Sequence, residues 1–111
     1  MNSYLKGQLV QQIAYSINTI SILFESGDYV TTSGFFELSN QNKTAICNEL
    51  FPVSSDWGFL ELLEKKIVSI DSNKIEKSLI IHFEDEIKLV LFENENYESY
   101  DLYINNKRIV R

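Results

Sequence analysis

The chain contains one cysteine, one histidine, one proline, one tryptophan and four glycines in 111 residues. Each scarcity excludes something. A lone thiol cannot close an intrachain disulfide, so Cys47, set in Thr44-Ala45-Ile46-Cys47-Asn48, reads as an inert buried thiol in a reducing compartment. One cysteine and one histidine cannot supply a structural zinc site. Gly7, Gly27, Gly34 and Gly58 never cluster, which removes a phosphate-cradling loop, and no Asp-x-Asp-x-Asp-Gly calcium loop is present. No cofactor and no metal is therefore expected. The apolar runs, such as Leu79-Ile80-Ile81 and Leu89-Val90-Leu91-Phe92, are far too short to span a bilayer. Met1–Gln8 lacks the charged start and continuous apolar stretch of a secretory signal. These features predict a soluble cytoplasmic protein without a membrane partner. Basic residues are also scarce: 10 stand against 16 acids, for a net charge of −6. That balance disfavours nucleic acid as a ligand, since phosphate backbones select basic surfaces.

Core-forming material is abundant. Hydrophobic residues make up 44% of the chain and aromatics 13%, with 7 Phe and 6 Tyr, too many for a solvated polymer and enough for one packed core. Most of the sequence alternates with the period of a strand. In Leu9–Tyr15 the apolar residues fall on both parities. Ile20, Ile22 and Phe24 point one way, and Glu25-Ser26-Gly27-Asp28 supplies a turn in which Gly27 is free to take positive φ. Tyr29-Val30-Thr31-Thr32 returns, and the strand is expected to continue through Phe35-Phe36-Glu37-Leu38 with a bulge or bend at Gly34. After Ile67-Val68-Ser69-Ile70 comes a polar connection, 71–78. Leu79, Ile81 and Phe83 then share one face, and a turn at Glu84-Asp85-Glu86 leads into Ile87, Leu89 and Leu91. The last hairpin turns at Asn105-Asn106-Lys107, with Tyr100, Leu102 and Ile104 facing the core and Tyr97, Ser99, Asp101 and Tyr103 facing outward.

The middle reads differently. Ala45, Ile46, Glu49 and Leu50 follow at helical spacing up to Pro52, and a second helical stretch is expected over Trp57–Lys66, capped near Ser54-Ser55-Asp56, with Phe59, Leu60 and Leu63 as its stripe. The reading is one domain over 1–111: a β-unit at 5–38, a helical insert at 42–66 and a β-unit at 67–111. The two units share a grammar, a strand followed by a hairpin ending in Phe-Glu, with Ile22-Leu23-Phe24-Glu25 aligned on Ile81-His82-Phe83-Glu84. The fold class expected is α+β, mainly antiparallel β, as a sandwich or half-open barrel from two similar β-units, with one or two short helices in the middle.

Charge is unevenly spread. From Glu84 to Asp101 there are seven acids (Glu84, Asp85, Glu86, Glu93, Glu95, Glu98, Asp101) and one base, Lys88; the rest of the chain holds nine of each. Tyr97 and Tyr103 share the outward parity with Asp101. Tyrosine gives contact area at low entropic cost, and carboxylates steer a basic partner. The partner-binding candidates are thus Glu84, Asp85, Glu86, Glu93, Glu95, Tyr97, Glu98, Asp101 and Tyr103. The competing reading is a solvated face that serves solubility. His82, on one strand face with Glu84, is the single candidate general base, but no Gly-x-Ser-x-Gly or Cys/His arrangement accompanies it. No catalytic residue is assigned, and the chain is expected not to be an enzyme.

The opening Leu5-Lys6-Gly7-Gln8-Leu9-Val10, the hairpin Ile22-Leu23-Phe24-Glu25-Ser26-Gly27-Asp28 and the stretch Asn96-Tyr97-Glu98-Ser99-Tyr100 resemble a family of small bacterial immunity proteins from polymorphic and contact-dependent growth-inhibition toxin systems. The resemblance extends over nearly the full length in short motifs. It implies a protein that binds and neutralises the C-terminal domain of a cognate toxin, a basic nuclease being the natural match for an acidic face. It supplies no catalytic residues. The second unit departs from the pattern, with Glu64 where Gly7 stands and Asp85-Glu86 in place of Ser26-Gly27. The alternative is a non-catalytic adaptor or homo-oligomerising β module, pairing as a homodimer through an open sheet edge.

Overall fold

The computed structural model describes residues 6–33, 35–40, 44–47, 58–75, 77–93, 100–104 and 107–110. Ten strands follow in order: β1 Val10–Tyr15, β2 Ile20–Phe24, β3 Tyr29–Thr32, β4 Phe36–Ser39, β5 Thr44–Cys47, β6 Ile67–Asn73, β7 Ser78–Phe83, β8 Ile87–Phe92, β9 Tyr100–Ile104 and β10 Lys107–Val110. They form two five-stranded sheets, ordered β1-β2-β3-β9-β10 and β5-β4-β8-β7-β6, and every pairing is antiparallel. The fold is therefore mainly antiparallel β, as the alternation in the sequence predicts.

Alternation also explains the core. Ile20, Ile22 and Phe24 on β2, Val30 and Thr32 on β3, and Tyr100 and Leu102 on β9 point inward and are buried. From the second sheet, Phe36, Leu38, Leu79, Ile81, Phe83, Ile87, Leu89 and Leu91 meet them in one cluster. The sheets are joined along one edge. The Ile67 N–H donates to the Gln8 carbonyl at 3.0 Å and the Val10 N–H to the Lys65 carbonyl at 2.9 Å, on either side of an antiparallel bridge between Leu9 and Lys66.

Connectivity departs from a simple succession of hairpins. β3 does not continue past Ser33 into β4. It ends at Thr32, and the chain crosses to the other sheet, where β4 pairs β8. β9 makes the converse crossing and pairs β3. A continuous strand would have kept Phe36 and Leu38 in a sheet whose inner face β9 completes; the crossing lets both sheets bury them. Gly34, the expected bend, lies outside the described residues.

The middle segment also differs from its helical reading. Thr44–Cys47 is a strand hydrogen-bonded to β4. The branched Thr44 and Ile46 favour extended backbone, and a waiting sheet edge outweighs four residues of helical spacing. The positions 48–57, including Glu49, Leu50, Pro52 and Trp57, lie outside the described residues. The described part of the stretch read as a second helix, residues 58–66, contains a single 3-10 turn, Phe59–Leu62. Left-handed backbone at Gly58 (φ 87°) and Glu64 (φ 67°) brackets it, which leaves no room for propagation. Its buried pair is Phe59 and Leu62, while Leu60 and Leu63 are 51% and 37% exposed. Among the described residues there is no α-helix, and none long and apolar enough to cross a membrane.

Candidate protein-binding face

Because strand residues alternate, each sheet has an outer face set by register. On the first sheet, Leu23 stands opposite Tyr29, Tyr29 opposite Tyr103, and Tyr103 opposite Arg108. The next row runs Ser21, Thr31, Asp101, Val110. The rings of Tyr29 and Tyr103 stack with centroids 5.2 Å apart and planes 6° from parallel. This is a cross-strand aromatic pair of the kind that stabilises a sheet by about 0.2–1 kcal/mol. Three of the four positions in the neighbouring row, Ser21, Thr31 and Asp101, are polar. Ser21 Oγ and Thr31 Oγ1 lie 2.7 Å apart in a hydrogen bond, and the Arg108 guanidinium donates to Asp101 Oδ2 through Nε at 2.9 Å and Nη2 at 2.8 Å. Asp101 Oδ1 is shut off from solvent and has no hydrogen-bond partner among the described residues.

The acids predicted from sequence are distributed over the molecule. Glu84, Asp85 and Glu86 form the tight turn between β7 and β8 in the second sheet, with left-handed backbone at Asp85 and Glu86. Glu84 Oε1 accepts from the Lys66 N–H at 2.8 Å, and Asp85 Oδ2 meets Lys65 Nζ at 2.8 Å. Two of the three turn acids are thus committed to the start of β6. Glu93 lies past the other end of β8, where its N–H donates to the Lys77 carbonyl at 2.9 Å. Asp101 and Tyr103 lie in the first sheet. Glu95, Tyr97 and Glu98 lie outside the described residues. Of the nine candidates, Asp101 and Tyr103 are the pair that the fold places side by side on one strand face. Tyr29, Leu23 and Arg108 complete that face and were not singled out from sequence. Tyr29 pairs with Tyr103 from 74 positions away along the chain, so no local pattern reveals that contact.

His82 meets Asp71 rather than Glu84: Nε2 lies 3.4 Å from Asp71 Oδ2, both side chains being open to solvent. Among the described residues no group of three or more His, Cys, Asp and Glu side chains converges as metal ligands would. A shallow open groove beside the sheet junction is lined by Gly7, Gln8, Leu9, Glu25, Ser26 and Lys66. Gln8 spans it, donating from Nε2 to Asp28 Oδ2 at 2.8 Å and accepting from Ser26 Oγ.

Among the described residues two titrations are shifted. The hydrogen bond from Lys65 to Asp85, reinforced by the charges of Asp85, Glu84 and Glu64, raises the Lys65 ammonium above its ordinary 10.5. Desolvation raises the Tyr15 phenol above 10.0. In both cases the folded state holds its proton longer than the unfolded chain does. The stability this confers is complete below the ordinary values and lost as pH rises through the raised ones. The urea midpoint is expected to fall above about pH 10, and Tyr15→Phe is expected to flatten part of that fall. A midpoint that stays level across the same window contradicts the assignment.

No family model matches the chain, and no curated protein or solved structure matches it either.

Proposed function

We propose that the chain is a cytoplasmic immunity protein that binds the C-terminal domain of a cognate toxin and neutralises it by contact, without catalysis of its own. The observation that carries this reading is the contrast between the two outer faces. The row Leu23, Tyr29, Tyr103, Arg108 on the first sheet occupies the same pairing positions as His82, Lys88, Ser39, Thr44 on the second. The architecture accepts Lys and Ser at the two central positions, so it does not require tyrosines there. Half-exposed aromatics that the fold does not need fit a hot spot, where tyrosine is enriched. The net charge of −6 favours a basic partner, and a basic nuclease domain is the toxin class proposed.

The direct test mixes the protein with the toxin domain encoded in the neighbouring reading frame. A stable complex with loss of toxin activity is expected; an undiminished toxin and no complex remove the proposal. Charge contributes mainly to encounter. Reversing Asp85, Glu95 and Asp101 to lysine together is expected to slow association about tenfold at low salt and little at high salt. An unchanged association rate at low salt places the interface elsewhere.

One feature favours the adaptor or homodimer reading. The edge strand β5, Thr44-Ala45-Ile46-Cys47, carries no charge, while the other edge, β10, begins with Lys107-Arg108. Charged residues discourage edge-to-edge pairing and β5 lacks them. Sedimentation over a range of concentrations separates the readings: an obligate dimer indifferent to any toxin favours the second.

A further inference from the structure

We infer that the chain is an internal dimer: two copies of one five-strand unit, 7–47 and 64–110, each completed by a hairpin from the other through a self-recognising surface whose proper partner is a second copy of the unit. The inference does not depend on toxin binding. Four features carry it, three in the backbone and one in the side chains.

The first is register. Val10 pairs Phe24 and Ile13 pairs Ile22, as Ile67 pairs Phe83 and Ile70 pairs Ile81. Both strand pairs break register at the same place, between Val10 and Gln12 in one and between Ile67 and Ser69 in the other. Bulges are positioned features rather than accidents of pairing, and two amphipathic hairpins with nothing in common have no reason to share one. The next pairs also match: Ile22 with Val30 and Ile81 with Leu89.

The second is the exchange. β3 is completed by β9, with Val30 opposite Leu102 and Thr32 opposite Tyr100; β8 is completed by β4, with Leu89 opposite Leu38 and Leu91 opposite Phe36. Each unit therefore gives its last hairpin to the other sheet and receives the equivalent hairpin in return. Neither sheet is complete from its own unit.

The third is the junction. A two-fold axis through the Leu9–Lys66 bridge predicts that its hydrogen bonds map onto one another, and they do. Val10 N–H to Lys65 carbonyl corresponds to Ile67 N–H to Gln8 carbonyl, at 2.9 and 3.0 Å. Gly7 N–H to Ile67 carbonyl corresponds to Glu64 N–H to Val10 carbonyl, at 2.8 and 2.9 Å. Glu25 N–H to Leu9 carbonyl corresponds to Glu84 N–H to Lys66 carbonyl, at 2.9 and 3.0 Å. Gly7 and Glu64 both hold positive φ, 85° and 67°. An isologous contact has this reciprocity by definition.

The fourth is side-chain chemistry at the junction. Gln8 reaches Ser26 across the first unit's turn, and Lys65 reaches Asp85 across the second. The same pair of positions is bridged by a neutral hydrogen bond in one unit and an ion pair in the other.

The crossings differ in length. Four positions separate Thr32 from Phe36, and nine separate Leu91 from Tyr100. Two whole-chain variants test the inference by mass in solution, circular dichroism and thermal melting. One joins residues 1–63 to a second copy of residues 7–57, so that both units have the first unit's sequence. The other deletes residues 94–98, giving the second crossing the length of the first. The tandem chain is expected to be strand-rich and to melt cooperatively, as a monomer or as an exchanged dimer of twice the mass. The deletion is expected to melt within about 10 °C of the parent, since shortening a connection to a length the fold already uses costs little. If the tandem chain does not fold, the deletion decides: a cooperative melt supports the inference. Loss of the cooperative melt in both chains overturns it, and so does loss in the deletion alone.

Discussion

Replacing Tyr29 and Tyr103 with alanine is expected to weaken the proposed toxin complex by roughly 30-fold or more, the equivalent of about 2 kcal/mol, while the protein stays folded. The two rings stand together on the outer face of the first sheet, 5.2 Å apart and nearly parallel. Neither belongs to the buried core, so their removal costs the fold only a cross-strand pair, about 0.2–1 kcal/mol. The molecule contains its own control. Lys88 and Ser39 hold the equivalent positions on the second sheet, and alanine at Lys88 is expected to leave affinity unchanged. Calorimetric titration reads affinity and urea denaturation reads stability. Equal losses of affinity from the two sheets would show that no face is specialised, and the proposed site would fall.

Phe36→Ala is expected to cost about 3–5 kcal/mol of stability, the range for emptying a buried aromatic position. Phe36 is fully buried and opens β4, the strand that crosses between sheets. Its ring packs edge-to-face on Phe59, with centroids 5.0 Å apart and planes 77° from parallel. That contact fastens the 3-10 turn to the core, so the substitution loosens two elements and leaves a cavity neither can fill alone. Against a total of about 5–15 kcal/mol for a typical domain, the loss approaches global unfolding. Leu60→Ala, on the same turn but 51% exposed, is expected to change stability by no more than about 0.5 kcal/mol. The urea midpoint should fall for the first and hold for the second, with the slope unchanged in both. A small effect of Phe36→Ala would mean that the crossing strand does not hold the core together.

The strands of the two meanders were legible because burial on one face imposes a period of two. Ile20, Ile22 and Phe24, and likewise Leu79, Ile81 and Phe83, carry that signal in a few consecutive residues. So do the turns at Gly27 and at Glu84–Glu86. The crossings were not legible. Tyr29–Thr32 and Phe36–Ser39 have the alternation of one interrupted strand, and periodicity cannot say which sheet a strand joins. Thr44–Cys47 differs from its helical reading because four residues satisfy both helical spacing and strand propensity; the open edge of β4 decides between them.

The candidate face was legible in half. The parity of Asp101 and Tyr103 on the last hairpin follows from sequence, and the fold places them outward together. The partner ring Tyr29 does not follow, because strand order brings it there rather than sequence proximity. Acid-rich sequence also overstated the field around it. Asp85 is matched by Lys65 and Asp101 by Arg108, pairs formed between strands and invisible to a running count of charge.

The most direct test of the proposed binding face is amide chemical-shift mapping of the labelled protein on titration with the toxin domain proposed as its partner. Perturbations centred on Leu23, Tyr29, Thr31, Asp101 and Tyr103, with the outer face of the second sheet around Lys88 and Val90 left unmoved, are the predicted result. Perturbations centred on the second sheet with the Tyr29–Tyr103 face silent, or none anywhere, would contradict it.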